Sequence, residues 1–192
     1  MKKILVGTHN MGKFKEIAYL ISKKYKKISP LSLNIPSPKE TSKTFNGNSS
    51  LKANYFSKFV NYPVISDDSG LCIKSLKNKP GIYSARLAKK HGSFLKAMKF
   101  LLKKMKNKKD RSAFFVCSLS FKKPKKKLIN VTGIIYGSIS EKILGKKGFG
   151  YDPIFIPNLS NKTFGEMDKN KKIKIDHRSI AFKKLKRKVK AL

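Results

Sequence analysis

A chain of 192 residues, 40% of them hydrophobic, suits one globular domain, 1–192, and contains no apolar run long enough for a membrane span or a signal peptide. Lys and Arg number 46 against 10 Asp and Glu, a formal charge of +36, so the surface attracts polyanions such as nucleic acid or phosphorylated small molecules. Two distant cysteines, Cys72 and Cys117, read as buried thiols in a reduced cytoplasm, with a single bridge between them left open. The lysines are spread along the whole chain beside plentiful Ile and Asn, which fits an AT-rich coding sequence better than a dedicated basic patch. That bias does not explain the scarcity of acids, but it makes Glu40, Asp67, Asp68, Asp152, Glu166 and Asp176 stand out.

In chain order, residues 3–7 read as a buried first strand. The polar loop Thr8-His9-Asn10-Met11-Gly12-Lys13 follows, then a helix with Phe14, Ile17, Ala18 and Ile21 on one face. Unpaired N–H groups at that helix start, with Lys13, form an anion site, although the glycine pattern is not a Walker loop. Residues 28–33 suggest a second strand, and Ile35-Pro36-Ser37-Pro38 breaks regular structure. Glu40 lies in a loop before a helix for which Asn48 is a plausible cap, and Leu51, Ala53, Tyr55, Phe56 and Phe59 supply its apolar residues.

Val64-Ile65 then ends a short strand, and Ser66-Asp67-Asp68-Ser69-Gly70 follows at the strand end, where α/β folds place their chemistry. Adjacent side chains diverge there, so one Asp faces a ligand while the other braces the turn. Two such carboxylates repel unless a cation stands near, and Mg²⁺ with a polyphosphate would serve; an ordinary polar turn is the alternative. Residues 79–86 form a loop with a Pro-Gly turn, and its Arg86 either holds a phosphate or pairs with an acid. Phe94, Leu95, Met98, Leu101, Leu102 and Met105 mark a core-facing helix. Residues 112–121 and 128–136 read as strands of a hairpin with a lysine-rich tip.

Gly148-Phe149-Gly150-Tyr151-Asp152-Pro153 interleaves glycine with aromatics, which lets backbone approach a flat ligand and a ring stack on a base. After Thr163-Phe164-Gly165-Glu166 and Lys172, Asp176 offers an N-cap to a last helix that opens with His177-Arg178 and turns Ile180, Ala181 and Leu185 to one face. Cations at a helix start oppose its dipole, an arrangement that makes sense if His177 and Arg178 reach a ligand.

Taken together and in order, these stretches resemble the inosine/xanthosine triphosphate pyrophosphatase family, enzymes of non-standard purine nucleotides. The resemblance covers Thr8 to Arg178 and implies a mixed α/β fold: a long twisted sheet flanked by helices, in two lobes with the active-site cleft between them. It implies Mg²⁺-dependent cleavage between the α and β phosphates, in a cytoplasmic homodimer. It assigns Thr8, His9, Asn10, Met11, Gly12 and Lys13 to the triphosphate; Glu40 and Asp68, with Asp67, to the metal; and Asp68, helped by Lys13, to catalysis. Ser69 and Arg86 become nucleotide contacts, and Phe149, Gly150, Tyr151, Asp152, Lys172, His177 and Arg178 hold the base. Three positions depart from the family pattern: Gly47 where most relatives carry Glu, Ser42 for a usual Gly, and Ser49 for a usual Ala. Rival readings are a Maf-like pyrophosphatase of modified pyrimidine triphosphates, and a basic nucleic-acid-binding protein; non-specific nucleic-acid contact is expected under any of them.

Overall fold

The computed structural model describes residues 1–189 and 192. Strand β1 (Lys2–Val6) is apolar on both faces, with Ile4, Leu5 and Val6 fully buried. Such a run belongs inside a sheet rather than at its edge. It pairs in parallel with β2 (Tyr25–Ile28) on one side and with β3 (Val64–Ile73) on the other, Leu5 lying opposite both Ile28 and Val64. The sheet continues through β5 (Ser112–Lys122), β6 (Ile129–Ile139) and β7 (Phe155–Pro157), in the order β2-β1-β3-β5-β6-β7. The short β4 (Lys79–Pro80) lies antiparallel to the end of β3.

Among the described residues, four helices fall between the strands, α1 (Met11–Leu20), α2 (Phe45–Phe56), α3 (Ser84–Lys90) and α4 (Phe94–Met105), and two follow β7, α5 (Lys169–Ile175) and α6 (His177–Lys188). The fold is mixed α/β, and no described helix is long and apolar enough to cross a membrane.

The chain divides into two compact units. The first comprises Met1–Asp68, Cys117–Gly133 and Arg178–Leu192. Alternation along its strands sorts the core: Ile4, Val6 and Ile65 pack with Ile17 of α1 and with Ala181, Phe182 and Leu185 of α6. Leu5 and Val64 face the other way, against Phe56 of α2 and Ile35. The second unit comprises Ser69–Val116 and Ile134–His177, and gathers Leu71, Ile73, Met98, Leu101, Phe115, Phe155 and Phe164.

Six local expectations change. Phe59 lies beyond the end of α2 at Phe56, and Leu95 of α4 is exposed rather than core-facing. Residues 28–33 are not a strand: β2 ends at Ile28, and Pro30–Leu33 is a 3-10 turn that begins on proline, with Ser29 capping the Leu31 N–H and Asn34 left-handed at its end. The acidic pair is not at a strand end, because β3 runs unbroken from Val64 to Ile73 and buries nearly every residue. Asn48 does not cap α2; Thr44 does, its Oγ1 accepting the Gly47 N–H at 3.0 Å. Arg86 lies on helix α3 rather than in a loop.

Candidate active site

Along β3 the alternation that sends Ile65 toward α1 and α6 sends Asp67 the same way, while Asp68 follows Val64 toward α2. Asp67 is fully buried, and its Oδ2 lies 3.2 Å from Lys13 Nζ and 3.8 Å from Arg178 Nε. Burial alone would raise its pKa, but Lys13, Arg178 and Lys52 outweigh it and bring the carboxyl down to about 2. Arg178 in turn donates from an NH1 nitrogen to Glu16 Oε2 at 2.8 Å. Lys13 and Glu16 are one turn apart on α1, so Glu16, Arg178, Asp67 and Lys13 form a buried chain of alternating sign.

Asp68 meets a different set. Asn48 donates from Nδ2 to Asp68 Oδ2 at 3.0 Å, and Lys52 Nζ stands 4.0 Å from Oδ1. The same Nζ donates to Glu40 Oε1 at 2.5 Å. Asn48, Lys52 and Phe56 are four residues apart on α2 and share its buried face, which is why an amide and an ammonium end up beside this carboxylate. Burial disfavours charge on Lys52, yet the three carboxylates Asp67, Asp68 and Glu40 raise its pKa. Burial acts first on Asp68 also; Lys13 and Lys52 pull against it, Glu40 adds to it, and the carboxyl stays above its ordinary range.

The loop before α1 is tightly built. Asn10 caps the helix by accepting the Lys13 N–H at 3.1 Å, and its own N–H donates to Thr8 Oγ1 at 3.2 Å. His9 joins its Nε2 to the Ile35 carbonyl at 2.9 Å and stacks on Phe56, whereas the Met11 side chain is exposed. Gly7 permits the approach of β1 to its neighbours, since a Cβ there would lie 2.2 Å from Ser66 Oγ and 2.6 Å from the Phe56 ring.

In the second unit, Asp152 is the organising residue. Its Oδ2 accepts from the Phe149 N–H at 2.8 Å and from Lys172 Nζ at 2.6 Å, both carboxylate and ammonium being buried. Lys172 also lies over the Phe149 and Phe164 rings, at 5.0 and 5.5 Å from their centres. Gly148, at φ +75°, leaves room for that carboxylate, because a Cβ would sit 2.1 Å from Asp152 Oδ2. Tyr151 faces inward, donating from its hydroxyl to the Ser84 carbonyl at 2.8 Å, with Phe94 edge-on to its ring. His177 stacks on Phe115 with ring centres 4.8 Å apart and planes 11° from parallel. Ser69 is half-buried, one residue past Asp68 on β3. Arg86 is exposed on α3, over the Tyr83 ring. Glu166 serves its own turn, its Oε2 accepting from the Thr163 N–H and hydroxyl.

Among the described residues no three His, Cys, Asp or Glu cluster as a metal cage. Mg²⁺ does not need one, since it is held through one or two carboxylates, with substrate phosphates and water completing the octahedron. Glu40 and Asp68 fit that donor set, because both direct an oxygen at the single point marked by Lys52 Nζ. Asp67 turns its Oδ2 to Lys13 and Arg178 instead.

Sequence reasoning missed Lys52 and Glu16 and took Asn48 for a cap. The available signal was spacing: 48, 52 and 56 on one helix face, and 13 and 16 on another. One lysine in so basic a chain does not announce itself.

The model of the Ham1 family matches residues 4–188 of this chain. The dITP/XTP pyrophosphatase of Oceanobacillus iheyensis is 43% identical over 190 residues, which are 96% of each chain. That of Dictyoglomus thermophilum is 41% identical over 189 residues, covering 95% of this chain and 92% of its relative. The solved structure of the Staphylococcus aureus Ham1 protein superposes with a TM-score of 0.87 at 35% identity, over 98% of both chains.

Proposed function

Since the chain belongs to the Ham1 family, we propose that it hydrolyses the non-standard purine nucleoside triphosphates ITP, dITP, XTP and dXTP to the monophosphate and pyrophosphate. The observation that carries this reading is the setting of Asp68: a buried carboxylate above its ordinary pKa, held by Asn48 and faced by the Lys52–Glu40 pair.

In this reading Asp68 orients the attacking water and takes its proton. Glu40 and Asp68 would hold Mg²⁺, which when bound neutralises triphosphate charge and fixes the phosphate oxygens. Lys13 and Lys52 balance the charge that develops on those oxygens as the α–β bridge breaks and pyrophosphate leaves. The α1 N–H groups and the Thr8–Lys13 loop receive the phosphates. Asp67 acts as the counter-ion that keeps Lys13 and Arg178 extended, a role different from the ligand role expected of it.

Phe149, Gly150, Tyr151 and Asp152, with Lys172, His177 and Arg178, are the base-recognition set. Arg178 or His177 donates to a 6-oxo group, which hypoxanthine and xanthine present and adenine lacks. Leaving a buried donor unpaired costs on the order of 1–3 kcal/mol, roughly a tenfold to hundredfold preference. A homodimer acting on the cytoplasmic nucleotide pool completes the proposal.

The test is a substrate panel with products resolved by ³¹P NMR. With Mg²⁺, ITP and XTP release pyrophosphate at least tenfold faster than ATP. Release of orthophosphate in its place, or equal turnover of ITP and ATP, overturns the reading.

A further inference from the structure

The second unit contains a cavity of about 590 Å³ whose lining includes none of Phe149, Asp152 or Lys172. Its wall is apolar, built chiefly from Leu76, Tyr83, Leu87 and Phe100. Five cations, Lys77, Lys79, Arg86, Lys90 and Lys104, stand in the same lining, and none of the twelve lining residues is acidic. Two of the cations are seated on the wall itself: Arg86 lies 5.1 Å from the centre of the Tyr83 ring, and Lys104 lies 5.8 Å from that of Phe100.

We propose that this cavity binds a single-headed anionic amphiphile of the class of a medium-chain fatty acid, its apolar body against Leu76, Leu87 and Phe100 and its carboxylate among the cations. Three physical points select that occupant. The volume falls in the range that encloses a small organic ligand. The five cations, with no acid among the lining residues, set the sign of the ligand, and the apolar wall of Leu76, Leu87 and Phe100 asks for an apolar body behind the charged head. The collar also disfavours a second copy of this chain, because a two-fold contact would set five cations against the same five, and like charges across an interface cost several kcal/mol. Arg86, which sequence resemblance assigned to the nucleotide, belongs to this collar.

The experiment is calorimetric titration of the intact protein with dodecanoate below its micelle concentration, with dodecanol as the uncharged control. Dodecanoate binds at one saturable site, at least tenfold more tightly than dodecanol, and raising NaCl from about 50 to 500 mM weakens it several-fold. The variant Lys90→Glu/Lys104→Glu changes two exposed side chains of the collar and weakens dodecanoate at least tenfold. Lys123→Glu/Lys126→Glu alters the rim of a separate cavity in the first unit by the same charge and leaves binding unchanged. Equal loss in both variants means that net charge alone is being read, and overturns the proposal. So does equal binding of dodecanol, or no binding by a protein whose molar mass in solution changes with Lys90→Glu/Lys104→Glu, which would make the face a contact between copies.

Discussion

Asp67 and Asp68 are consecutive residues of one strand that point to opposite sides of it, and their environments push them apart. The first is brought down to about 2, and the second is held above its ordinary value. For Asp67 the sign is clear. Its folded-state pKa lies below the ordinary 3.8, so it stabilises the fold fully above that pH and loses the contribution as pH falls toward 2. The contribution is about 2 kcal/mol. Urea unfolding of wild type and Asp67→Asn from pH 7 to pH 3 checks this: the gap between them is widest at neutral pH and narrows below about pH 4. A gap independent of pH contradicts it. The sequence displayed this acidic pair clearly, but not the division of labour, which depends on the partners that α1, α2 and α6 bring from far along the chain. Lys52 and Glu16 stayed invisible for that reason.

At the level of elements, the existence and span of α4 were legible, because its apolar residues from Phe94 to Met105 recur at helical spacing; the Ser93 cap was not read, and Leu95, counted in the core-facing stripe, is exposed. β3 was not, since Asp, Asp and Ser read as turn residues and only their buried partners make an extended path through them stable. The start of α2 links two of the family departures. A Cβ at Gly47 would lie 1.9 Å from Ser42 Oγ and 2.7 Å from Ser42 Cβ, so Ser42 fills the space that a larger residue at 47 would need. Ser42 Oγ also accepts the Thr44 N–H at 3.2 Å, which keeps it from swinging aside cheaply. Glycine within a helix costs up to about 1 kcal/mol relative to alanine, so Gly47→Ala is expected to stabilise by that order once Ser42→Gly has opened the space, and to be neutral or destabilising without it. A double-mutant cycle by chemical denaturation measures the coupling; strict additivity contradicts the packing argument.

Over the whole molecule, the scarcity of acids acquires a structural pattern. Of the ten, Glu16, Asp67, Asp68, Asp152 and Asp176 are buried, and the partly buried Glu40 pairs with Lys52, so the acids that remain are concentrated where the fold or the candidate site uses them. A surface with so little negative charge binds polyanions non-specifically and in a salt-dependent way. A nucleic-acid-binding protein has no use for a buried acidic group beside Lys52, and the proposed triphosphate chemistry does. The most direct test of that claim is the turnover of ITP by Asp68→Asn, with circular dichroism and nucleotide binding as controls for the fold. General-base catalysis contributes about 10²–10⁴ in rate, so a folded variant that still binds ITP is predicted to lose at least a hundredfold in kcat. A folded Asp68→Asn that turns ITP over within tenfold of wild type would contradict it.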